Sequence, residues 1–177
     1  TKGTPEVTEL YTVNNFSEED VLKLAASIEA GSEHPLADAV LKKAEKKSVD
    51  YYEISDFEAI TGKGVKGKIK SDLDSTILVG SIKLMNEYNV DYESVHKLIQ
   101  EREDEAKTVI LVALNNKLAG ILAIADAIKD DSIPAIRELE TLGIKTVMLT
   151  GDNKRTAKAI AKKTGISKVI AEVLPDE

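Results

Sequence analysis

IKTVMLTGDNKRTAKAIAKKTGI, residues 144–166, joins an apolar run to an amphipathic helix through the turn TGDN at 150–153. The apolar run predicts a buried β-strand, and the helix is expected to run from Asn153 to Thr164 before a glycine. A helix from Ser132 to Leu142 precedes this strand, and KVIAEV at 168–173 supplies another buried strand after it. Such alternation of helix and apolar strand is typical of a parallel, doubly wound α/β sheet.

The first 125 residues show a different pattern. Two amphipathic helices come first, at residues 17–29 and directly after, and the earlier one begins with a Ser17–Asp20 capping box. Short strand-like runs follow, then helical stretches at 82–89 and 94–105, and a hairpin is expected around Asn115-Asn116. We therefore expect an α/β chain in which an α+β domain, an antiparallel sheet flanked by helices, precedes the parallel unit. The predicted segments are 1–12, 13–125 and 126–177.

Composition narrows the classes of function. The 177 residues carry a net charge of -7, so we do not expect the chain to bind nucleic acid through its overall charge. The chain has no cysteine and two histidines, which excludes disulfides and thiolate metal sites, and we predict no metal-ligating residues. No apolar run approaches the ~20 residues of a membrane span. We expect the segment itself to be soluble and cytoplasmic.

The strand-to-helix junction is the first candidate site. Thr150, Gly151 and Asp152 lie at the carboxyl end of a predicted parallel strand, where open α/β sheets bind ligands. A hydroxyl, a glycine and a carboxylate there could hold a phosphoryl group with its Mg²⁺, helped by the N-terminus of the following helix. The structural alternative is that Asp or Asn at this point is an ordinary helix N-cap.

A second candidate surrounds two glycines between predicted strands. Residues 62–68, GKGVKGK, approach the phosphate-binding pattern G-x-x-x-x-G-K-[ST], but Ile69 has no hydroxyl and the following residues predict a turn and strand where that motif needs a helix. We therefore reject this motif. Gly62 and Gly64 could still allow a ligand to approach the backbone, or they could serve a hairpin turn that needs positive φ.

The third candidate is the His-Pro step in GSEHPLADAV, residues 31–40. Pro35 suits the first position of a helix and pushes His34 into an extended conformation, so the imidazole projects from a junction. Glu29, five residues earlier, could bring its carboxylate to the same rim. The alternative is that His34 is only a capping or half-buried turn residue.

Taken in order, several segments share a resemblance that covers essentially the whole chain. They resemble the cytoplasmic ATP-binding region of heavy-metal-transporting (CPx-type) P-type ATPases, above all the copper pumps. The TGDN segment marks P-type ATPases generally, whereas Ser-Glu-His-Pro is specific to the heavy-metal branch. The segments are TKGTPEV (1–7), SIEAGSEHPLADAV (27–40), TGKGVKG (61–67), ILVGSIKLM (77–85), LAGILAIADAIKDDS (118–132), residues 144–166 and VIAEVLPDE (169–177).

This resemblance implies a nucleotide-binding domain, residues 13–125, inserted into a haloacid-dehalogenase-like, Rossmannoid phosphorylation domain. Residues 1–12 and 126–177 would be parts of that phosphorylation domain, and ATP and Mg²⁺ would be the cofactors. By the same resemblance, Thr150, Gly151 and Asp152 meet the transferred phosphate. The residues implied for the nucleotide pocket are Glu29, Ser32, His34, Gly62, Gly64 and Gly80. His34 would then bind adenine, and Pro35 would orient the His34 side chain.

The resemblance also implies a larger protein around this chain. The family's acceptor aspartate lies in D-K-T-G-T, which should end just before or at Thr1, and its catalytic lysine and G-D-G-x-N-D magnesium loop are expected beyond Glu177. We accordingly expect this chain to be inactive alone. The implied whole is an integral membrane protein with transmembrane and actuator domains that transports a heavy metal, with copper as the family's commonest cargo, through an aspartyl-phosphate.

Two other hypotheses remain open at this point. A soluble haloacid-dehalogenase-type phosphatase with a large cap domain would carry a second acidic residue two positions after its nucleophile, where a P-type ATPase has Thr. A non-catalytic nucleotide-sensing module would bind ATP without an upstream phosphorylatable aspartate. For a pocket of one His, one Glu and glycines we expect weak binding, high-micromolar to millimolar, or roughly 4 to 6 kcal/mol.

Overall fold

A computed structural model describes residues 1–173. It contains a six-stranded antiparallel sheet of order β1-β6-β5-β4-β3-β2 and a two-stranded parallel sheet of β7 and β8. The strands are β1 Glu6–Thr12, β2 Ile54–Ile60, β3 Gly64–Ile69, β4 Asp72–Gly80, β5 Thr108–Leu114, β6 Lys117–Ala125, β7 Val147–Leu149 and β8 Lys168–Ile170. The helices are α1 Glu18–Glu29, α2 Pro35–Lys46, α3 Ile82–Glu87, α4 His96–Asp104, α5 Ser132–Thr141 and α6 Lys154–Thr164, and a 3-10 turn at Glu93–Val95 precedes α4.

The predicted fold class is confirmed. Every neighbouring pair in the large sheet is antiparallel, and the hairpin of β5 and β6 turns at Asn115 and Asn116, which both adopt positive φ as a two-residue turn requires. The small sheet is parallel, with Met148 opposite Val169. The change from antiparallel to parallel pairing therefore follows the change in hydrophobic pattern near residue 126.

The first predicted segment differs from the structure. Residues 6–12 were placed outside the antiparallel domain, but they form β1 at the edge of its sheet, with Val7 opposite Ile124 and Thr12 opposite Gly120. The reason is that β6 offers a free edge beyond β5, and residues 6–12 contain the β-branched and aromatic side chains that suit a strand. The large sheet therefore begins at Glu6 rather than after residue 12.

Both faces of the large sheet are covered. Helices α1 and α2 pack on one face around Leu22, Ile28 and Val40, and helices α3 and α4 pack on the other around Leu84 and Ile99. Because neither face meets water at the centre of the sheet, β5 and β6 are apolar along almost their whole length instead of alternating. The sheet thereby fixes the C-terminal end of α1, where a candidate site residue lies.

The strands of the small sheet are not buried as predicted. Val147 is 47%, Leu149 66% and Ile170 44% exposed. An apolar strand is buried only when neighbours cover both its edges and its faces, and among residues 1–173 this sheet pairs only two strands. The predicted helix stop is confirmed, since Gly165 has φ of 89° and closes α6 in the left-handed conformation.

Residues 126–131 carry the chain from the large sheet toward the small one, and residues 1–5, which precede β1, lie beside them. The backbone N–H of Lys2 donates to the Ala127 carbonyl at 2.8 Å, and the Asp126 carboxylate accepts from the backbone N–H groups of Gly3 and Thr4 at 3.2 and 3.3 Å. Helix α6 also touches the larger unit, because the Thr156 hydroxyl donates to the Lys107 carbonyl at 2.9 Å. Within residues 1–173 we find no helix that is both long enough and apolar enough to cross a bilayer.

Helix α1 begins with the predicted capping box. The Ser17 side chain accepts from the Asp20 N–H at 3.1 Å, and the Asp20 carboxylate accepts from the Ser17 N–H at 2.8 Å, which lowers the pKa of Asp20. We predict that Ser17→Ala lowers the free energy of unfolding by about 1 kcal/mol, measured by urea denaturation. The matched control Ser167→Ala, at an exposed serine outside the helices, should change it by less than about 0.5 kcal/mol; equal losses would contradict the capping role.

Candidate functional site

A tight turn between α1 and α2 links three of the predicted site residues. The backbone N–H of Ser32 donates to the Glu29 carbonyl at 2.9 Å, and the Ser32 hydroxyl oxygen accepts from the His34 N–H at 3.3 Å. The His34 ring nitrogen Nδ1 then accepts from the Leu36 N–H at 3.2 Å. Residues 29–36 thus form one hydrogen-bonded unit, which the sequence spacing could only suggest.

His34 is the N-cap of α2, with Pro35 in the first turn of that helix. Its backbone is extended, as the following proline predicts, and its side chain is exposed. Because Nδ1 accepts the capping hydrogen bond, a neutral ring carries its proton on Nε2. The alternative in which His34 is a capping residue is therefore confirmed. Capping uses only Nδ1, so Nε2 and the faces of the ring remain available to another partner.

Glu29 is the last residue of α1 and is only 7% exposed. Burial raises the pKa of this carboxyl group to about 7, while a weaker interaction with the Ser32 side chain lowers it. A helix C-terminus also disfavours a negative charge, and the last turn of α1 contains no basic residue. A buried glutamate without a cationic partner is costly to ionise, so this position needs a reason other than the stability of the helix.

Gly64 and Gly80 lie directly opposite each other on β3 and β4. A Cβ atom on Gly64, whose φ is +144°, would lie 2.2 Å from the Val79 carbonyl oxygen, and one on Gly80 would lie 2.2 Å from the Lys63 carbonyl oxygen. The protein's own backbone therefore requires glycine at both positions. Gly62 has φ of 69°, as the hairpin alternative predicts.

The turn at 29–36 and the glycines belong to separate hydrogen-bonded regions. Among the described residues, no hydrogen bond connects Glu29, Ser32 or His34 to Gly62, Gly64 or Gly80. What joins the two regions is packing: the Ile28 side chain lies 3.3 Å from the point where a Cβ on Gly67 of β3 would stand. Residues 64–69 form β3, which confirms that no helix follows the glycines and that the phosphate-loop motif is absent.

A groove of about 420 Å³, which the sequence did not predict, borders this turn. It runs between the C-terminal end of α1 and the start of β2, and the Phe57 ring forms a wall 3.1 Å from the point where a Cβ on Gly31 would lie. Phe57 is 39% and Tyr52 38% exposed. Two exposed aromatic residues, Phe57 in β2 and Tyr52 just before it, were the available signal.

The TGDN loop holds its carboxylate through hydroxyl groups. The Thr150 hydroxyl donates to Asp152 at 2.9 Å and accepts from the Asp152 N–H at 3.1 Å. On its other side, Asp152 accepts from the Thr108 hydroxyl at 3.4 Å. Thr108 belongs to β5, and the sequence does not predict its part in the site because no local pattern relates it to residue 152.

Asn153, rather than Asp152, caps α6. Its side-chain oxygen accepts from the N–H groups of Arg155 and Thr156, both at 3.0 Å. The capping alternative therefore applies to Asn153 and leaves the Asp152 carboxylate at the mouth of the loop. Within residues 1–173, no group of three or more His, Asp or Glu side chains is arranged to hold a metal ion.

The whole chain, residues 1–177, matches the haloacid dehalogenase-like hydrolase family, and it belongs to that family. It is 42% identical over 177 residues to the copper-exporting P-type ATPase of Staphylococcus saprophyticus and 41% identical over 177 residues to that of Bacillus subtilis. Both alignments cover 100% of this chain but only 21% and 22% of those proteins, so the chain spans about one fifth of their length. The predicted resemblance to copper-transporting P-type ATPases is confirmed.

Solved structures agree with this relationship. A zinc-transporting PIB-type ATPase in its E2.Pi state has a TM-score of 0.67 at 33% identity, covering 98% of this chain and 27% of that one. The catalytic domain of the CPx-ATPase CopB-B, studied for its conformational changes upon nucleotide binding, has a TM-score of 0.73 at 27% identity and covers 99% of this chain and 58% of that one. The chain is thus homologous to the catalytic region of these transporters.

The backbone contact at Gly64 and Gly80 predicts the cost of a side chain there. Gly80→Ala should lower the free energy of unfolding by about 2 kcal/mol or more, because the new Cβ meets backbone that has no room to move. Urea denaturation would measure the loss. In the control Gly151→Ala, the Cβ lies at an ordinary 3.5 Å from its nearest neighbour and should cost less than about 1 kcal/mol; a tolerated alanine at residue 80 would contradict the packing role.

Burial of Glu29 predicts a pH-dependent stability. Its pKa is about 7 in the folded chain against 4.5 for an ordinary glutamate, so between these values the folded state binds more protons and stability falls as pH rises. Glu29→Gln should therefore gain stability relative to wild type on going from pH 5 to pH 8, by up to about 3 kcal/mol. Thermal unfolding of both proteins across this range measures the gain. Glu33→Gln, at the exposed carboxyl group of the same turn, should follow wild type; a constant difference for Glu29→Gln would contradict the raised pKa.

Proposed function

We propose that this chain is the ATP-binding part of a membrane transporter that couples ATP hydrolysis to the movement of a heavy-metal ion, with copper as the best-supported cargo. Two copper-exporting relatives at 41–42% identity over the whole chain support the class of transporter. In the intact protein the chain would lie on the cytoplasmic side, working with transmembrane and actuator domains. The proposed partners are thus ATP, Mg²⁺ and the transported metal ion, the last bound elsewhere in the protein.

The observation that carries this proposal is the hydrogen-bonded turn at residues 29–36. It places a buried carboxyl group, a hydroxyl group and an exposed imidazole within one short segment. A purine needs a flat surface and a few polar groups at its edge. In our proposal the His34 ring supplies the surface, Glu29 supplies the polar edge, and Ser32 holds the turn in place.

The glycines have a supporting part in this proposal. Gly62, Gly64 and Gly80 keep the β3–β4 region flat and free of side chains, so that the nucleotide can lie against backbone. The same absence of side chains is required by the packing of Gly64 against Gly80. Their binding role thus adds to a structural one.

The TGDN loop would receive the phosphate end of the nucleotide. Thr150 offers a hydroxyl group, Gly151 leaves room beside it, and Asp152 offers a carboxylate next to the N-terminus of α6. Since the described residues contain no cluster of three acidic or histidine side chains, Mg²⁺ would be held chiefly by the phosphates, with Asp152 as a single protein ligand. Bound there, Mg²⁺ would neutralise phosphate charge.

The chemistry proposed for the intact protein is transfer of the γ-phosphoryl group from ATP to an aspartate carboxylate, which releases ADP, followed by hydrolysis of the acyl phosphate by water. The residues of this chain would position the nucleotide and its phosphates for that step. The sequence contains no D-K-T-G-T. We therefore expect this chain alone to bind ATP without hydrolysing it, and measurable release of inorganic phosphate would contradict this.

An NMR titration with ATP and with GTP tests the site directly. We expect ATP to shift the amide signals of residues 29–36 and 62–64 with a dissociation constant of roughly 0.1 to 1 mM, and GTP to bind more weakly. His34→Ala should weaken ATP binding about tenfold. Because it also removes the N-cap of α2, the matched variant is His34→Asn, which keeps a capping oxygen and loses the imidazole.

The two variants separate the roles of His34. Equal weakening in His34→Ala and His34→Asn shows that the imidazole binds the nucleotide. Normal ATP affinity in His34→Asn would limit His34 to capping and would contradict its place in the site. Amide shifts confined to residues 150–153 would contradict the whole pocket at residues 29–36.

A further inference from the structure

Glu29 lies in a place that has no countercharge. It is 7% exposed, it ends α1, and no ion pair among the described residues includes it. The elements packed against α1 do carry cations, but these have other partners or are exposed. Lys43 donates to the Val7 carbonyl, Lys47 pairs with Glu18, Lys66 with Glu58, Lys68 with Asp56 and Lys70 with Glu53, Lys23 lies over the Tyr52 ring, and Lys42, Lys46 and Lys117 are exposed.

The other titratable groups near Glu29 do not neutralise it either. Within the turn these are Glu33 and His34, both exposed, and Asp38 follows, exposed, in the first turn of α2. Two of the three are acidic and provide no countercharge for Glu29. The third, His34, has its Nδ1 occupied as the acceptor of the Leu36 N–H. An anionic nucleotide brought to this turn adds further negative charge.

We propose that Glu29 meets the purine in its protonated form, so that nucleotide affinity falls as the pH rises through neutrality. This inference rests on the proposed nucleotide site at residues 29–36. The pKa of about 7 agrees with it, because the protonated and ionised forms are then both populated under ordinary conditions. The turn thereby couples binding of the nucleotide to binding of one proton.

The protonation state of Glu29 also determines whether the site prefers adenine or guanine. A protonated carboxyl group offers one donor and one acceptor, whereas an ionised one offers acceptors only. The edge of adenine presents N1 as an acceptor beside a donating 6-amino group, which matches the protonated form. The edge of guanine presents two donors, N1–H and the 2-amino group, which matches the ionised form. Protonated Glu29 therefore favours adenine, and ionisation weakens that preference.

The test compares dissociation constants for ATP and GTP at pH 6, 7 and 8 in wild type, Glu29→Gln and Glu33→Gln. Glutamine keeps one donor and one acceptor at every pH, so it imitates protonated Glu29. Titration of the ATP phosphates is common to all three proteins, so its effect on binding cancels in the comparison. We expect the dissociation constant of wild type for ATP, divided by that of Glu29→Gln, to rise about tenfold from pH 6 to pH 8. The dissociation constant of Glu33→Gln should follow that of wild type.

A second measurement needs no variant. The carboxyl carbon of Glu29 can be followed by NMR across the same pH range without and with saturating ATP. Reciprocity requires that a ligand preferring the protonated form raises the pH at which this group titrates. An upward shift supports the proposal, and an unchanged or lowered midpoint overturns it.

Failure of this inference differs from failure of the proposed function. If ATP shifts residues 29–36 but wild type and Glu29→Gln share one pH profile, the site stands and the proton coupling is wrong. If ATP leaves residues 29–36 unshifted at every pH in both proteins, the nucleotide site is wrong and the coupling falls with it.

Discussion

Burial of α1 against the six-stranded sheet is the constraint on which the rest of the structure depends. Its apolar face meets the sheet around Leu22 and Ile28, and the capping box at Ser17 fixes where the helix begins. Because both ends are then determined, the chain must leave α1 at Glu29, next to the sheet, and turn at once into α2. That geometry determines where the polar groups of residues 29–36 lie. It buries one of them, the Glu29 carboxyl group, away from water.

Local sequence patterns predicted most of the fold because the helix caps and turns depend on residues that are close together in the sequence. The capping box of α1, the Asn115-Asn116 turn and the glycine stop of α6 require only neighbouring residues, and all three are found. The edge strand β1 was missed for the opposite reason. Its partner, β6, lies more than a hundred residues away, and nothing local in residues 6–12 reveals that pairing.

In the candidate site, too, features set by neighbouring residues were predicted, whereas features set by distant residues were not. Proximity of Glu29 and His34 followed from a short spacing, but the raised pKa of Glu29 depends on packing that no spacing contains. Thr108 was invisible for a similar reason, since it reaches Asp152 across 44 residues of sequence. Exposure of Leu149 and Ile170 was also mispredicted, because an apolar run predicts a strand without revealing how many neighbours cover it.

Residues 126–131 carry the chain from the large sheet toward the small one, and residues 1–5 lie beside them. A backbone hydrogen bond from Lys2 to Ala127 and the Asp126 carboxylate, which accepts from Gly3 and Thr4, join the two segments. Helix α6 adds a separate contact, because the Thr156 hydroxyl donates to the Lys107 carbonyl. The small sheet is therefore attached to the large one at two places, and any change in their relative position has to preserve or break both sets of hydrogen bonds.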